Sequence, residues 1–338
     1  MPQAIFPRSE MPALLRGVSR SFYLSIRLLP APLRHPIGIA YLLARATDTV
    51  ADTAGLPVDV RRDLLETLTT AIEGRTPAHA ALSRLAAVFA GEQAGAGEHR
   101  LVLALPECLE QLEALAPADR DDVRAVLRHI TYGQALDIER FSPAGPPKAL
   151  QTAEQLDEYT YLVAGCVGEF WTDLCVRHLP GFAALPHREM RELGRAYGMA
   201  LQLVNILRDA GADLAAGRCY FPAAELAAAG LQPQDVVRRP ERFAAVREPW
   251  LGRAEHGLEA GMRYADAITS RRVRAASALP ALLGARTLVL LRADPALGLA
   301  HKVKVPRAEV RGTMARLAFT LAGRASLARL YANAAGGA

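Results

Sequence analysis

Runs of β-branched residues are scarce in this chain, while Ala and Leu recur from one end to the other. That combination steers the backbone into helices rather than sheets. Apolar residues return at i, i+3, i+4 spacing over Pro12–Leu29 and Pro36–Thr53, which predicts two helices near the start. The same period predicts helices over Val58–Glu73, His79–Phe89, Pro106–Leu115, Ala118–Glu139, Ala153–Leu179 and Pro186–Leu214. Three more follow at Ala244–Ala267, Val273–Leu291 and Arg307–Ala334. Pro/Gly punctuation at 143–147, 178–182 and 230–234 marks short connections. No composition shift or low-complexity linker divides the chain, so one all-α domain spanning 1–338 is expected.

Hydrophobic residues make up 51% of the sequence, ample for a large core. The net charge of +5 and pI of about 9.2 come from Arg spread along the whole length. No Lys/Arg block with interleaved aromatics of the kind that binds nucleic acid is present. Anionic substrates or membrane headgroups fit that charge better. Cys108, Cys166, Cys175 and Cys219 form no CxxC pair and have no His at metal-ligand spacing, which argues against a zinc site and a disulfide framework. The N-terminal stretch is broken by Pro and charge too early for a signal sequence. No run reaches the roughly 18 apolar residues of a spanning helix, and Ala278–Leu291 reads as a buried core helix. The expected location is cytoplasmic, which leaves peripheral membrane contact and a monomer or homodimer open.

Tyr41, Arg45, Asp48 and Asp52 share one helical face. Asp-x-x-x-Asp on a helix stacks two carboxylates one turn apart, where they repel unless a cation intervenes. Mg²⁺ takes oxygen ligands and commonly bridges one or two carboxylates to substrate phosphates. A second pair, Asp209/Asp213, has the same spacing, so two facing pairs would hold a diphosphate between them. Spacing alone is weak, because Asp59/Asp63 and Glu154/Glu158 repeat it. Asp59/Asp63 straddles two arginines that neutralise it in place, and Glu154/Glu158 lies on a polar, exposed-looking face. The other two pairs follow apolar runs, IGIAYLLA and YGMALQLVNIL, and so emerge from segments expected to be buried, where carboxylates need cations. Arg45, Arg208 and Arg218 flank them, suited either to bidentate phosphate recognition or to salt bridges with the neighbouring Asp. Asn205, one turn before Asp209, offers a neutral oxygen, and Gly211 inside the second pair either loosens the turn or admits a close backbone approach.

The strings SRSFYLSIRLLP (19–30), YLLARATDTVAD (41–52), EYTYLVAGCVGEFW (158–171) and YGMALQLVNILRDAGADLAAGRCYFP (197–222) resemble the successive signatures of the squalene/phytoene synthase family. The resemblance implies an isoprenoid synthase-type helical bundle around a central apolar cavity. It assigns Asp48, Asp52, Asp209, Asp213 and Asn205 to Mg²⁺, with Mn²⁺ as a substitute. It places Ser19, Arg20, Ser21, Gln202, Arg208 and Arg218 at the substrate diphosphate, and Tyr41, Arg45 and Tyr159 on the catalytic face. Tyr161 is close enough to be confused with Tyr159, and on the residues alone either is an ordinary core tyrosine. Ala51 stands where some squalene synthases carry a glutamate, which puts a third carboxylate ligand in doubt.

The implied activity is head-to-head condensation of two allylic diphosphates, farnesyl diphosphate for a squalene synthase. The product then turns on NADPH: squalene formation needs a hydride, whereas phytoene and dehydrosqualene formation ends in proton loss. No GxGxxG unit follows a strand, so a Rossmann site is absent. The stretch VKVPRAEVRGTM at 303–314 resembles a basic segment of squalene synthases, with Lys304 and Arg307 as nucleotide-binding candidates beside Arg20, Arg45 and Arg208. Read alone, the same cluster is a solvated basic face.

Overall fold

The computed structural model describes residues 11–18, 23, 26–27, 29–53, 55–76, 82–83, 85–88, 96–141, 145–301, 303–320 and 322–336. The backbone is helical almost throughout, as expected, and it divides into two compact units, Met1–Ile138 and Glu139–Ala338.

The first unit contains α1 (Met11–Val18), α2 (Ala31–Asp52), α3 (Val58–Ile72), α4 (Ala96–Leu103), α5 (Leu105–Glu113) and most of α6 (Pro117–Arg140). Helix α2 begins five residues earlier than its predicted start. Pro32 sits in its first turn, where a missing N–H costs nothing, and Pro36 is carried inside the helix. Leu33, Ile37, Ile39, Leu42, Leu43, Ala46 and Val50 bury one broad side of α2. Helix α1 crosses α4 at Gly17 and Gly97, where a Cβ on Gly97 would stand 2.4 Å from the Gly17 carbonyl oxygen. The predicted helix over Pro12–Leu29 is described as helix only to Val18 and at isolated positions beyond it, and the predicted helix His79–Phe89 is helical at its described positions, 82–83 and 85–88. Helix α4 was not predicted: the Gly- and Ala-rich sequence before Glu98 carries no apolar period.

The second unit is built around α9 (His187–Ala215). Before it come β1 (Lys148–Ala149), α7 (Ala153–Thr160), a π-helical turn over Tyr161–Gly165, and α8 (Cys166–His178). After it come β2 (Arg218–Cys219), α10 (Ala223–Ala228), a 3₁₀ turn over Pro233–Arg238, α11 (Pro240–Ala267), α12 (Arg271–Ala293), α13 (Arg307–Phe319) and α14 (Arg324–Ala334). The predicted helix Ala153–Leu179 is thus continuous except for one over-wide turn. Strands β1 and β2 form a parallel two-residue pair, Lys148 opposite Arg218 and Ala149 opposite Cys219, which the sequence did not suggest.

Helix α8 lies against α9 backbone to backbone. A Cβ on Gly168 would meet the Gly194 carbonyl oxygen at 1.9 Å, and one on Gly198 would meet that of Ala164 at 2.2 Å. Helix α12 is long and apolar enough by composition to cross a membrane, but 67% of its apolar window is buried, the pattern of the core helix expected there. The single helix predicted over Arg307–Ala334 is a correction: it breaks between Phe319 and Arg324, where Ala322 has φ +49°. The carbonyl of Ala322 is held by the buried Arg274, 3.1 Å away, which fixes the break. All four cysteines are free and buried.

Candidate functional site

Helix α2 presents Tyr41, Arg45 and Asp48 half-buried and Asp52 exposed, while Leu42, Leu43, Ala46, Thr47, Thr49 and Val50 between them are buried. The predicted shared face is therefore the side of α2 turned from its core. The expectation of buried carboxylates needs correction for this pair. The apolar run before it is buried, but the Asp48 side chain is 41% exposed and Asp52 lies on the last turn. Arg45 pairs with Asp48 and donates 2.6 Å to Glu98 Oε1 on α4. Burial opposes the charge of Arg45, and Asp48, Glu98 and Tyr41 overcome it, so its pKa lies above the ordinary value. Glu98 was not legible in the sequence, since nothing local ties it to Arg45.

The end of α2 has a dedicated support. Arg61, buried on α3, donates 2.9 Å to the carbonyl of Ala51, capping the terminal turn that carries Asp52. This gives one arginine of the DVRRD segment a role that the sequence did not suggest. Ala51 itself is buried, so the position where a glutamate was in question contributes only a methyl group to the core.

Helix α9 carries the second set. Gln202, Asn205, Arg208, Asp209 and Asp213 are all half-buried, while Leu203, Val204, Ile206, Leu207 and Ala210 face the core. Arg208 grips its neighbour Asp209 through one guanidinium edge, Nε to Oδ1 at 3.0 Å and Nη2 to Oδ2 at 2.6 Å. Arg218, on β2, donates to Asp213 Oδ1 at 3.3 Å. Asn205 donates its amide to Gln202 Oε1 at 3.3 Å, leaving the Asn205 oxygen as the group to consider for a cation. Asp209 and Asp213 side chains are 20% and 17% exposed, so burial of carboxylates holds for this pair. Gly211 between them admits a close backbone approach: a Cβ there would be 1.8 Å from the Leu299 carbonyl oxygen.

Tyr159, in the last turn of α7, stacks on Tyr220 with ring centroids 4.9 Å apart and hydroxyls 3.3 Å apart. Tyr220 is buried and meets Phe141 edge-on. Tyr161 opens the π turn instead, and its hydroxyl is 3.4 Å from Glu169, which Arg191 also contacts. Burial and the Glu169 charge both push the Tyr161 pKa up. The two tyrosines are thereby separated: one belongs to an aromatic stack, the other to a charged network. Tyr220 lies inside the GRCYFP string, but its pairing with Tyr159 depends on tertiary contact.

Lys304 and Arg307 are exposed, on the segment leading into α13. Ser19, Arg20 and Ser21 lie outside the described residues. Glu154 and Glu158, which repeat the spacing, are both exposed, with Glu158 bound to Arg140 at 2.5 Å.

Among the described residues no group of three or more His, Cys, Asp and Glu is arranged to hold a metal alone. Mg²⁺ does not require such a cage, since it is commonly held by one or two carboxylates with substrate phosphate and water. The carboxylate pairs, with the Asn205 oxygen beside the second, offer oxygen donors of that kind, and Arg45, Arg208 and Arg218 pair with Asp48, Asp209 and Asp213.

Residues 15–309 match the sequence profile described as squalene/phytoene synthase. The chain is 32% identical over 248 residues to a bifunctional lycopene cyclase/phytoene synthase of Gibberella fujikuroi, covering 72% of this chain and 40% of that protein. It is 29% identical over 211 residues to a squalene synthase of Saccharomyces cerevisiae, covering 62% of this chain and 44% of the relative. The chain thus spans about two-fifths of the length of these curated relatives. Its fold is that of TcSQS in a ligand complex, with a TM-score of 0.76 and 19% identity over 97% of each chain.

Proposed function

The chain belongs to the squalene/phytoene synthase family, and we propose that within it the protein is a squalene synthase. It would condense two farnesyl diphosphates head to head, through presqualene diphosphate, and finish with a hydride from NADPH. The observation that carries the diphosphate chemistry is the α9 face, where two half-buried aspartates one turn apart are each held by an arginine, and the exposed Lys304 and Arg307 favour the NADPH-dependent ending.

Mg²⁺, when bound, supplies positive charge against the diphosphate leaving group. Asp48 and Asp52 in the first unit, and Asp209 and Asp213 in the second with Asn205 as a neutral oxygen donor, would supply the oxygen ligands. Arg45 pairs with Asp48, Arg208 with Asp209 and Arg218 with Asp213, so guanidinium groups lie beside these carboxylates, where their fork would suit phosphate oxygens. Developing charge on the leaving group is thereby met by groups already in place.

The allylic cation left behind reacts with any water it meets, so its surroundings must be apolar. Tyr159 packs against the large buried cluster of the second unit, which includes Leu203, Leu207, Phe221 and Phe243. Its ring face can stabilise a cation. A phenol with an ordinary pKa near 10 is a weak base at neutral pH, which makes released diphosphate the stronger candidate for proton removal. Lys304 and Arg307 are exposed cations three positions apart, suited to the phosphates of NADPH.

A second reading is favoured by the phytoene synthase relatives: a phytoene or dehydrosqualene synthase that ends in proton loss. Incubation with farnesyl or geranylgeranyl diphosphate and Mg²⁺, each with and without NADPH, separates the two. Squalene made from farnesyl diphosphate only when NADPH is present supports the proposal. A C40 product, or a C30 product indifferent to NADPH, overturns it.

A further inference from the structure

Arg247, on α11, is a charged residue that the proposed chemistry leaves unused. It is 3% exposed, and its described partners are all neutral carbonyls: Leu291 at 2.8 Å, Leu297 at 2.9 Å and Pro295 at 3.3 Å. Burying a guanidinium is costly, and the carbonyls offset that cost only in part, because they bond both terminal nitrogens while the buried Nε has no hydrogen-bond partner. Desolvation drives its pKa below the ordinary arginine value, with Glu248 and Asp294 opposing that shift.

The backbone that Arg247 holds runs directly onto the second aspartate pair. The segment turns sharply: Ala296 N–H donates to Asp294 Oδ1 at 2.8 Å, Gly298 N–H donates to the His301 carbonyl at 3.1 Å, and Gly298 has φ +84°. The Gly298 carbonyl then accepts the Gly211 N–H at 2.7 Å, a bond that leaves helix α9. There is no spare room in this contact. A Cβ on Gly298 would lie 2.8 Å from the Leu207 carbonyl oxygen, and one on Gly211 would lie 1.8 Å from that of Leu299. Two glycines, one of them in the left-handed region, are thus needed to let the segment rest on the turn that bears Arg208 and Asp209 and leads to Asp213.

We propose that Arg247 is a positioning residue for the aspartate pair. By holding the carbonyls of 291–297 it seats Gly298 on the 207–211 turn, and so fixes Asp209 and Asp213 for a Mg²⁺-bound diphosphate. The diphosphate part of this inference rests on the function proposed above. The clamp itself rests only on the hydrogen bonds and close contacts just described.

A second buried arginine supplies the control. Arg274 likewise bonds to carbonyls, those of Ile268, Thr269 and Ala322, none of which lies in the segment resting on α9. In the full-length chain, Arg247→Met, Arg247→Lys and Arg274→Met are compared by three measurements. These are thermal unfolding, amide hydrogen exchange over 207–213, and calorimetric binding of inorganic pyrophosphate with Mg²⁺. Arg247→Met is expected to speed exchange at Gly211 and to weaken Mg²⁺-pyrophosphate binding by about 10- to 100-fold, the usual loss when a partner behind a ligand is removed. Arg274→Met is expected to lower the melting temperature comparably while leaving exchange at 207–213 and binding as in the parent. Arg247→Lys, which keeps a donor, is expected to fall between. Should Arg247→Met not fold, Gly298→Ala keeps the arginine, disturbs the same contact, and is expected to give the same two changes.

Equal behaviour of Arg247→Met and Arg274→Met in exchange and binding would overturn the inference. If the parent protein binds no Mg²⁺-pyrophosphate, the proposed function fails and takes the diphosphate role of Arg247 with it, while the exchange result still decides the clamp. If the parent binds and Arg247→Met binds as tightly, the function stands and the positioning role is refuted.

Discussion

Replacing Gly168 by Ala tests the packing that sets helix α8 against α9. A Cβ at 168 would stand 1.9 Å from the Gly194 carbonyl oxygen, 2.4 Å from its carbon and 3.1 Å from Arg195 N. A close but tolerable carbon–oxygen contact is about 3.3 Å, so the helices must part by roughly 1.4 Å. Every atom in the way is backbone, so no rotamer change relieves the clash. Overpacking a filled core costs about 1–3 kcal/mol, and the helix propensity gained on losing a glycine returns up to about 1 kcal/mol. The net expectation is a loss of about 1–2 kcal/mol, or a melting temperature about 2–8 °C lower in a unit of this size. Gly252, also inside a helix, provides the opposite sign, because a Cβ there meets nothing within 4 Å. Gly252→Ala is expected to stabilise by about 0.5–1 kcal/mol, raising the melting temperature by about 1–4 °C. Both shifts are read by circular dichroism at 222 nm during heating. A Gly168→Ala protein as stable as the parent would refute the close crossing, and with it the account of how Tyr159 and the α9 aspartates are held in one unit.

Asp209→Ala is expected to reduce turnover by at least about 100-fold while leaving the helical circular dichroism nearly unchanged; retained activity would remove this aspartate from the diphosphate site. Arg61→Met strips the cap from the Ala51 carbonyl, and leaving that group unpaired is expected to cost about 1–3 kcal/mol in urea unfolding. Burial raises the thiol pKa of Cys108, Cys166 and Cys219 to about 12, and that of Cys175 further. A thiol reagent at pH 8 should therefore label no cysteine in the native protein and all four after denaturation. The sign for stability follows from the same shifts. Unfolded thiols ionise above about pH 8.5 and folded ones do not, so stability is full below that pH and falls as pH rises beyond it, measurable by urea titrations between pH 7 and 10.

Helix α2 and its polar face were legible because Tyr41, Arg45, Asp48 and Asp52 recur at helical spacing in an otherwise apolar segment. Its true start was not, since Pro36 reads as a breaker and is tolerated so near the helix end. The same limit applies to Arg307–Ala334, which is split by a turn that a distant residue, Arg274, holds in place. Local sequence also failed wherever the partner came from elsewhere in the chain. Glu98 meets Arg45 across 53 positions, and Tyr220 meets Tyr159 across 61. Gly211 shows the intermediate case: its cost inside a helix hinted at a close approach, yet only the fold reveals that the 298–299 backbone is what approaches. The aspartate pairs themselves stood out through context rather than spacing, and the context was the better guide for Asp209/Asp213 than for the more exposed Asp48/Asp52.

The most direct test of the proposed reaction supplies farnesyl diphosphate, Mg²⁺ and NADPH carrying deuterium at its transferable position, and analyses the hydrocarbon by mass spectrometry. Squalene containing a single deuterium is the predicted product. A C30 hydrocarbon without deuterium would contradict the hydride step and with it the proposed identity of the enzyme.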